Sequence, residues 1–293
     1  MNEYFSTIGQ KLNDKCPLYT KTNNDFNIPF FNHCFHFHPV TEEEIHTLLN
    51  ELKTNKSNGL DEPSNYFYKV ANEIISPLLC LLINNCLEQG IFPDVLKIGT
   101  VIPIFKSGDR ELSSNWRPIC LLHPFSKVFE RCVVKQVNSF LDKYSILHPS
   151  QFGFRKNLST EQAVSKIYDK YSSEIDKGNI TCSIFIDIKK AFDTVSHNIL
   201  LNKLYRYGFR GTSFDFFSNY LTNRFQTVSI HNIKSDPLQT KCGVPQGSVL
   251  GPVLFNISID LPQASNLYRN ITVCGRCLYE LLCSIPNILR RIR

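Results

Sequence analysis

No stretch of the 293-residue chain approaches 18 charge-free apolar residues, so no transmembrane helix and no membrane partner are expected. The start, Met1-Asn2-Glu3-Tyr4-Phe5, is polar and acidic, whereas a secretory leader would be basic and then apolar. A disulfide framework is also missing. The 11 cysteines are odd in number and scattered, which suits reduced thiols in an intracellular protein, nuclear or cytoplasmic and not secreted. Only Cys274-Gly275-Arg276-Cys277 has metal-ligand spacing, and it lacks a second pair, Cys242 and Cys283 being poor substitutes. His33-Cys34-Phe35-His36-Phe37-His38 alternates with phenylalanine and reads as an edge strand or docked loop rather than a zinc site. There is no internal repeat, and Arg290-Arg291-Ile292-Arg293 is too short to count as a nuclear-import run.

What is there is a globular composition. Hydrophobic residues make up 42% of the chain and 22 are phenylalanine, enough for a packed core. The net charge of +6 is uneven. Residues 1–100 carry 7 basic and 12 acidic side chains, residues 101–211 carry 17 and 10, and residues 212–293 carry 8 and 4. The basic excess begins where the candidate site begins. Cations around a carboxylate suit a polyanionic substrate, because phosphates need neutralising charge; a solvated basic face is the plainer alternative.

The chain is organised around Thr181 to Asp193. Thr181-Cys182-Ser183-Ile184-Phe185-Ile186 is a β-branched and aromatic run after Gly178, and it predicts a buried strand. It ends on Asp187, with Asp193 six residues further on and Lys189 and Lys190 between. A carboxylate at the lip of a rigid strand can hold a hard divalent cation. An Asp that merely caps a turn is the competing reading.

Around this strand the pattern predicts mostly helices. Residues 1–40 read as a linker or docking segment. Thr41-Glu42-Glu43-Glu44 has capping-box spacing, with Ile45, Leu48, Leu49 and Leu52 forming one apolar face to Lys53. An apolar helix from about Tyr66 to Gln89 is expected to bend near Pro77 and stop at Gly90. Gly99 to Phe105 reads as a strand, with Pro103 favouring a sheet edge. A long helix carries Phe125, Val128, Phe129, Cys132, Val133, Val137, Phe140 and Leu141 on its apolar side. Further helices are expected at about 160–177, 197–207 and 212–221, a hairpin at 226–231 and 238–241, and an apolar helix after Gly251.

Four blocks then stand out together: Asn115-Trp116-Arg117-Pro118-Ile119-Cys120-Leu121-Leu122, Gln151-Phe152-Gly153-Phe154-Arg155, Phe185 to Asp193, and Gly243-Val244-Pro245-Gln246-Gly247-Ser248-Val249-Leu250-Gly251-Pro252 running on to Phe255. In this order, across residues 100–262, they resemble the reverse transcriptases of non-LTR (LINE-like) retrotransposons, with Lys56 to Asp61 a weaker extension upstream. The resemblance implies an α+β fold of right-hand polymerase fingers and partial palm, an antiparallel palm sheet with flanking helices, and no thumb. It divides the chain into a linker or docking segment (1–40), a fingers-like region (41–180), a partial palm (181–267) and a divergent tail (268–293). It implies an RNA-directed DNA polymerase that takes an RNA template, a DNA primer and deoxynucleoside triphosphates, with two Mg2+ ions clamping the reacting phosphate.

Carried over residue by residue, the resemblance makes Asp187 the catalytic ligand of both metals and the Ile188 carbonyl a ligand of one. Phe192 would lie under the sugar and exclude a 2′-hydroxyl; a plain core phenylalanine is the alternative. Lys106 and Arg117 would meet the triphosphate, and the fork of Arg117 suits bidentate contact. Arg155 and Lys156 would face template or triphosphate, although a solvated surface lysine serves as well for Lys156. Gln246 and Gly247 would pack near the nascent base pair. Asp193 reads as a hydrogen-bonding residue.

The family's second carboxylate motif, F-A-D-D, is absent. The chain contains no Asp-Asp pair, and after Gly251 the only acids are Asp260 and Glu280, Asp260 belonging to the I-N-D-L-P-like Ile259-Asp260-Leu261-Pro262. From Cys274 onward the likeness ends in a Leu-, Cys- and Arg-rich tail that reads as a shifted frame or alternative exon. The expectation is therefore a truncated product with little or no polymerase activity. The alternatives are a non-catalytic nucleic-acid-binding remnant, a palm-bearing RNA polymerase or maturase, disfavoured by Phe192 and the 243–255 block, and a product that folds poorly because a palm sheet edge is left open.

Overall fold

A computed structural model describes residues 1–15, 30–54, 63–231, 233–259, 270–274 and 278–285. The chain forms two compact units, each assembled from two separate segments: residues 1–140 with 192–255, and residues 141–191 with 256–293. Elements are numbered along the whole chain.

The first unit opens on helix α1 (Asn2–Asp14), with Glu3 in its first turn and Lys11 in its last, each favourable to the helix dipole. The Asn2 amide donates to the Asp236 and Gln226 carbonyls, and Phe5 joins Val101 and Val228 in a small buried cluster. The N-terminal stretch thus docks. In α2 (Glu42–Asn50) the Thr41 hydroxyl accepts from the Glu44 N–H at 3.2 Å. The reciprocal half of the capping box is not used, because the Glu44 carboxylate binds Lys135 at 2.7 Å. The expected 66–89 helix is two helices, α3 (Asn65–Val70) and α4 (Asn72–Gln89), divided at Ala71 rather than Pro77. Asn72 opens α4 by donating to the His46 carbonyl of α2, and the Ser76 hydroxyl binds Asn72 in turn. Pro77 lies within α4, with Gly90 closing it at φ +69°.

β1 (Ile98–Phe105) pairs with β2 (Trp116–Leu121) antiparallel and with β4 (Arg224–Ile230) parallel. β5 (Ile233–Lys234) and β6 (Leu238–Thr240) both pair with β4, so the sheet is mixed. The parallel pair joins β1 to β4 across more than a hundred residues, far enough along the chain for the crossover that parallel neighbours need. β1 is flanked on both sides. Pro103 is tolerated because the β4 pairing stops at Val101, and Pro103 sits opposite Pro118. The core lies where α5 (Pro124–Lys143), α8 (Thr212–Leu221) and the loop after α4 bring Phe92, Phe129, Phe216 and Tyr220 together. The His33–His38 stretch docks as well: Phe35 bridges to Phe209 and is 3% exposed. α7 (His197–Arg206) completes this unit.

The second unit contains α6 (Thr160–Asp176), β3 (Ile180–Ile186), β7 (Asn270–Cys274) and β8 (Leu278–Ile285). Ser159 and Gln162 form a full capping box at the start of α6. The sheet order is β3-β8-β7, antiparallel throughout. The tail therefore supplies strands: β8 pairs along all of β3, from Ile180↔Ile285 to Ile186↔Tyr279. The edge of β3 expected to stand open on that side is covered. The expectation of a buried strand fails at Phe185, which is 62% exposed. It shares a face with exposed Asp187, two residues on, and the described residues leave that face open.

Lys56 to Asp61, Asp260 and Cys277 lie outside the described residues, as does the Arg290–Arg293 run. Among the described residues no helix is long and apolar enough to cross a membrane.

Candidate functional site

In the first unit the sequence-predicted residues gather on two supports. Lys106 follows β1 and Arg117 lies in β2 opposite Ile104, so both cations stand at one end of the hairpin. The connecting loop is pinned. The Lys106 N–H donates to the Asn115 carbonyl at 2.9 Å, the Asn115 amide to the Asp109 carbonyl at 2.8 Å, and the Trp116 indole to the Arg110 carbonyl at 2.9 Å. Lys106 and Arg117 are exposed, and among the described residues neither has an ion-pair partner. Two unneutralised cations on a rigid hairpin end are suited to a multiply charged anion.

The second support is the glycine-rich turn. The Gly243 N–H donates to the Val195 carbonyl at 2.8 Å and the Val244 N–H to the Phe192 carbonyl at 2.9 Å. The Cys120 N–H of β2 donates to the Gln246 carbonyl at 2.8 Å. Gly247 has φ +127°, and a Cβ there would collide with the Cys120 carbonyl oxygen. Only glycine lets the turn sit this close to β2. The Gln246 side-chain amide donates to Asp193 Oδ1 at 2.8 Å, so Asp193 orients the glutamine. Phe192 is 8% exposed and stacks on Phe255, with centroids 4.7 Å apart and planes 16° apart.

A cleft beside this turn is lined by Gln246, Asp193, Cys120, Lys97 and Arg224, with Gly9 of α1 over it. A Cβ at Gly9 would collide with the Asp193 carbonyl. Lys97 is 1% exposed and paired with Asp94 at 2.8 Å; Arg224 lies 4.7 Å over the Tyr220 ring. Burial pushes the Cys120 thiol up to about 11; burial and then the Asp193 charge push Cys242 to about 11. Both thiols are therefore protonated and unreactive at neutral pH. His197 Nε2–H donates to the Gly243 carbonyl at 2.8 Å, and burial holds its imidazole below the ordinary value.

In the second unit Asp187 follows β3 and is exposed; Ile188 is half-buried. Gln151 and Asn256 lock the Gln151–Arg155 block: the Gln151 amide donates to Asn256 Oδ1 at 3.1 Å, and the Asn256 amide donates to the Gly153 carbonyl at 3.0 Å. Arg155 turns inward, donating to the His148 carbonyl at 3.3 Å and standing 3.7 Å from Asp142. Lys156 is exposed.

Among the described residues, no group of three or more His, Cys, Asp or Glu side chains is placed to hold a metal ion. The donors left by the sequence are the Asp187 carboxylate and the Ile188 carbonyl. One carboxylate and one carbonyl do not fit a two-ion magnesium site, since hard cations take six or more oxygens and two ions need several shared carboxylates.

Sequence reasoning passed over Glu130 and Asn256. Both are polar residues inside strongly apolar helical runs, Val128-Phe129-Glu130 and Leu254-Phe255-Asn256-Ile257, and both are buried. A lone polar residue on a core face is the signal that would have found them.

A hairpin end with two cations unpaired among the described residues, beside a glycine-rich turn docked through backbone bonds, is a surface chemically suited to a polyanion. The comparisons make this particular. Residues 104–275 match the family model described as reverse transcriptase (RNA-dependent DNA polymerase), and the chain belongs to that family. It is 34% identical over 226 residues to the "Probable RNA-directed DNA polymerase from transposon BS" of Drosophila melanogaster, covering 76% of this chain and 25% of that protein. The "RNA-directed DNA polymerase from mobile element jockey" of the same fly is 30% identical over 225 residues, 76% of this chain and 24% of that protein. The "Retrovirus-related Pol polyprotein from type-1 retrotransposable element R2" of Popillia japonica is 31% identical over 195 residues, 64% of this chain and 23% of that protein. The chain thus spans about a quarter of the length of these relatives.

Proposed function

We propose that this chain is the nucleotide-side portion of a retrotransposon RNA-directed DNA polymerase. It binds deoxynucleoside triphosphate against an RNA template and DNA primer, with little or no polymerase chemistry of its own. Residues 41–180 carry the fingers and 181–267 part of the palm. Lys106 and Arg117 take the triphosphate. Gln246 and Gly247 present a flat surface to the nascent base pair, and Phe192 sits beneath the sugar. In the second unit the exposed Lys156 faces the template, while Arg155, held by the His148 carbonyl and Asp142, supports that loop. Asp187 and the Ile188 carbonyl are the remnant of the metal side. Primer attack on the α-phosphate needs positioning and charge neutralisation. This chain retains residues for the first and lacks the carboxylates for the second.

The observation that carries the reading is the docking of the Gln246–Gly247 turn on β2, the strand that bears Arg117. Primer extension on an RNA template with Mg2+ or Mn2+ tests it, alongside equilibrium binding of a fluorescent deoxynucleotide. The expected result is nucleotide binding weakened by Arg117→Ala, with no extension. Robust synthesis abolished by Asp187→Ala would overturn the inactivity. A second reading, a nucleic-acid-binding remnant without a nucleotide site, is favoured by the 17 basic against 10 acidic residues of 101–211. Salt-dependent RNA binding without nucleotide binding would select it.

A further inference from the structure

Glu130 is a fully buried carboxylate that nothing above uses, 1% exposed in the middle of α5. One oxygen accepts the Val249 N–H at 2.6 Å and the Leu250 N–H at 3.2 Å; the other accepts the Tyr220 hydroxyl at 3.1 Å and the Ser126 hydroxyl at 3.2 Å. Val249 and Leu250, with Ser248 before them, lie between the Gln246-Gly247 turn and helix α9 (Gly251–Ser258). Their N–H groups have no helical acceptor, as at any helix start, so without Glu130 they would be buried and unsatisfied. A network closes around them: the Ser248 hydroxyl donates to the Pro245 carbonyl at 2.9 Å and accepts from the Gly251 N–H at 2.9 Å. Burial pushes the Glu130 carboxyl up, against the opposing charge of Arg224 and the Leu250, Val249 and Tyr220 donors that favour the ionised form.

The turn is hydrogen-bonded to residues 192–195, to His197 of α7, to Cys120 of β2, and through Val249 and Leu250 to α5. The first three fix where the turn starts and how deep it sits. After Gly247, a residue at φ +127° with no side chain to lock it, the Ser248 bonds are internal to the turn, and Glu130 ties the departing chain to another element. We infer that Glu130 is a positioning residue: by holding the Val249 and Leu250 N–H groups it sets the pitch of the Gln246–Gly247 turn, and so the surface offered to a base pair. This rests on the nucleotide site proposed above.

The test uses the full chain and three variants. Glu130→Leu keeps the bulk and removes both acceptors. Glu130→Gln keeps one acceptor for Val249 and Leu250 and turns an NH2 toward Tyr220 and Ser126, whose oxygens can accept it. Gln246→Ala removes the presented side chain. Hydrogen exchange of the 245–251 backbone is read beside fluorescent deoxynucleotide binding. In Glu130→Leu, exchange at 249–250 should rise about a hundredfold while the α5 amides stay protected. Nucleotide affinity should fall about tenfold, near the value for Gln246→Ala, and Glu130→Gln should restore most of both. Unchanged exchange at 249–250 would overturn the inference. So would faster exchange with undiminished affinity while Gln246→Ala weakens binding. Should Glu130→Leu unfold, Glu130→Gln decides. Its uncharged oxygen holds the two N–H groups less tightly than a carboxylate, so exchange at 249–250 should rise and affinity fall a few-fold, well short of the changes expected of Glu130→Leu. Values equal to wild type would overturn the inference. If the wild-type chain binds no nucleotide, the functional reading fails, and exchange alone decides whether Glu130 holds the turn.

Discussion

His197 shows how one side chain ties pH to the site. Its ring lies against the Gly243 carbonyl, at the root of the glycine-rich turn, and burial foremost, with Arg224 adding to it, lowers its pKa from the ordinary 6.5. The neutral form is therefore favoured in the folded state. Above pH 6.5 folded and unfolded chains are both unprotonated here, and the full contribution is present. As pH falls through 6.5 toward the lowered folded value, the unfolded chain takes up the proton first, and stability is lost. The unfolding midpoint of wild type should therefore exceed that of His197→Gln by most above pH 7. The advantage should shrink steadily toward pH 5. An advantage that is constant with pH would show that the ring is not held neutral. Gly247 is the other decisive single residue: its positive φ and its contact with Cys120 are a demand that no sequence pattern states, although the glycine itself is plain to see.

Among elements, α5, α8 and the loop after α4 hold the first unit through aromatic packing. Phe216 is fully buried, 5.7 Å from Phe129 and 6.1 Å from Phe92, which are themselves buried, with half-buried Phe37 at 5.1 Å. Phe216→Ala should destabilise the chain by about 3–5 kcal/mol in denaturant unfolding, because the ring leaves a cavity that its packed neighbours cannot fully fill. A loss below about 1 kcal/mol would mean the cluster repacks. α4 also shows where periodicity misleads. Its inner face, Leu79, Cys80, Ile83 and Leu87, is buried, yet Ile74, Leu78 and Leu81 on the outer face are 63–73% exposed. Sequence gives an apolar helix; which side meets the core is set by α2 and α8.

For the whole molecule, charge is the lever on the proposed association with nucleic acid. Each phosphate neutralised by a lysine or arginine releases a counterion, so log affinity falls against log salt by about 0.7 per contact on a single strand. Binding to a primer–template should weaken with salt, and Arg117→Ala should lower the slope by about one contact. A slope left unchanged by Arg117→Ala would take Arg117 out of the phosphate contacts. Its exposed position at the hairpin end, without a counter-charge among the described residues, is what makes it a fair probe.

By itself, the sequence determined the elements and the family. Capping signals, apolar spacing and glycine stops place α2, α5, α6, α7 and α8 within a few residues, because these are local rules. The four blocks carry the family likeness because their chemistry is written in consecutive residues. Tertiary structure alone decided what depends on partners distant in the chain. It paired β1 with β4 in parallel, drew tail residues 278–285 alongside β3, and split the chain into two units each built from two segments. It also turned Arg155 inward and seated Glu130 under the glycine-rich turn. The distance from Glu130 to Val249 is 119 residues along the chain and one hydrogen bond in space. A buried charge is stable only where the fold brings donors to it, and donors that far away leave no local trace.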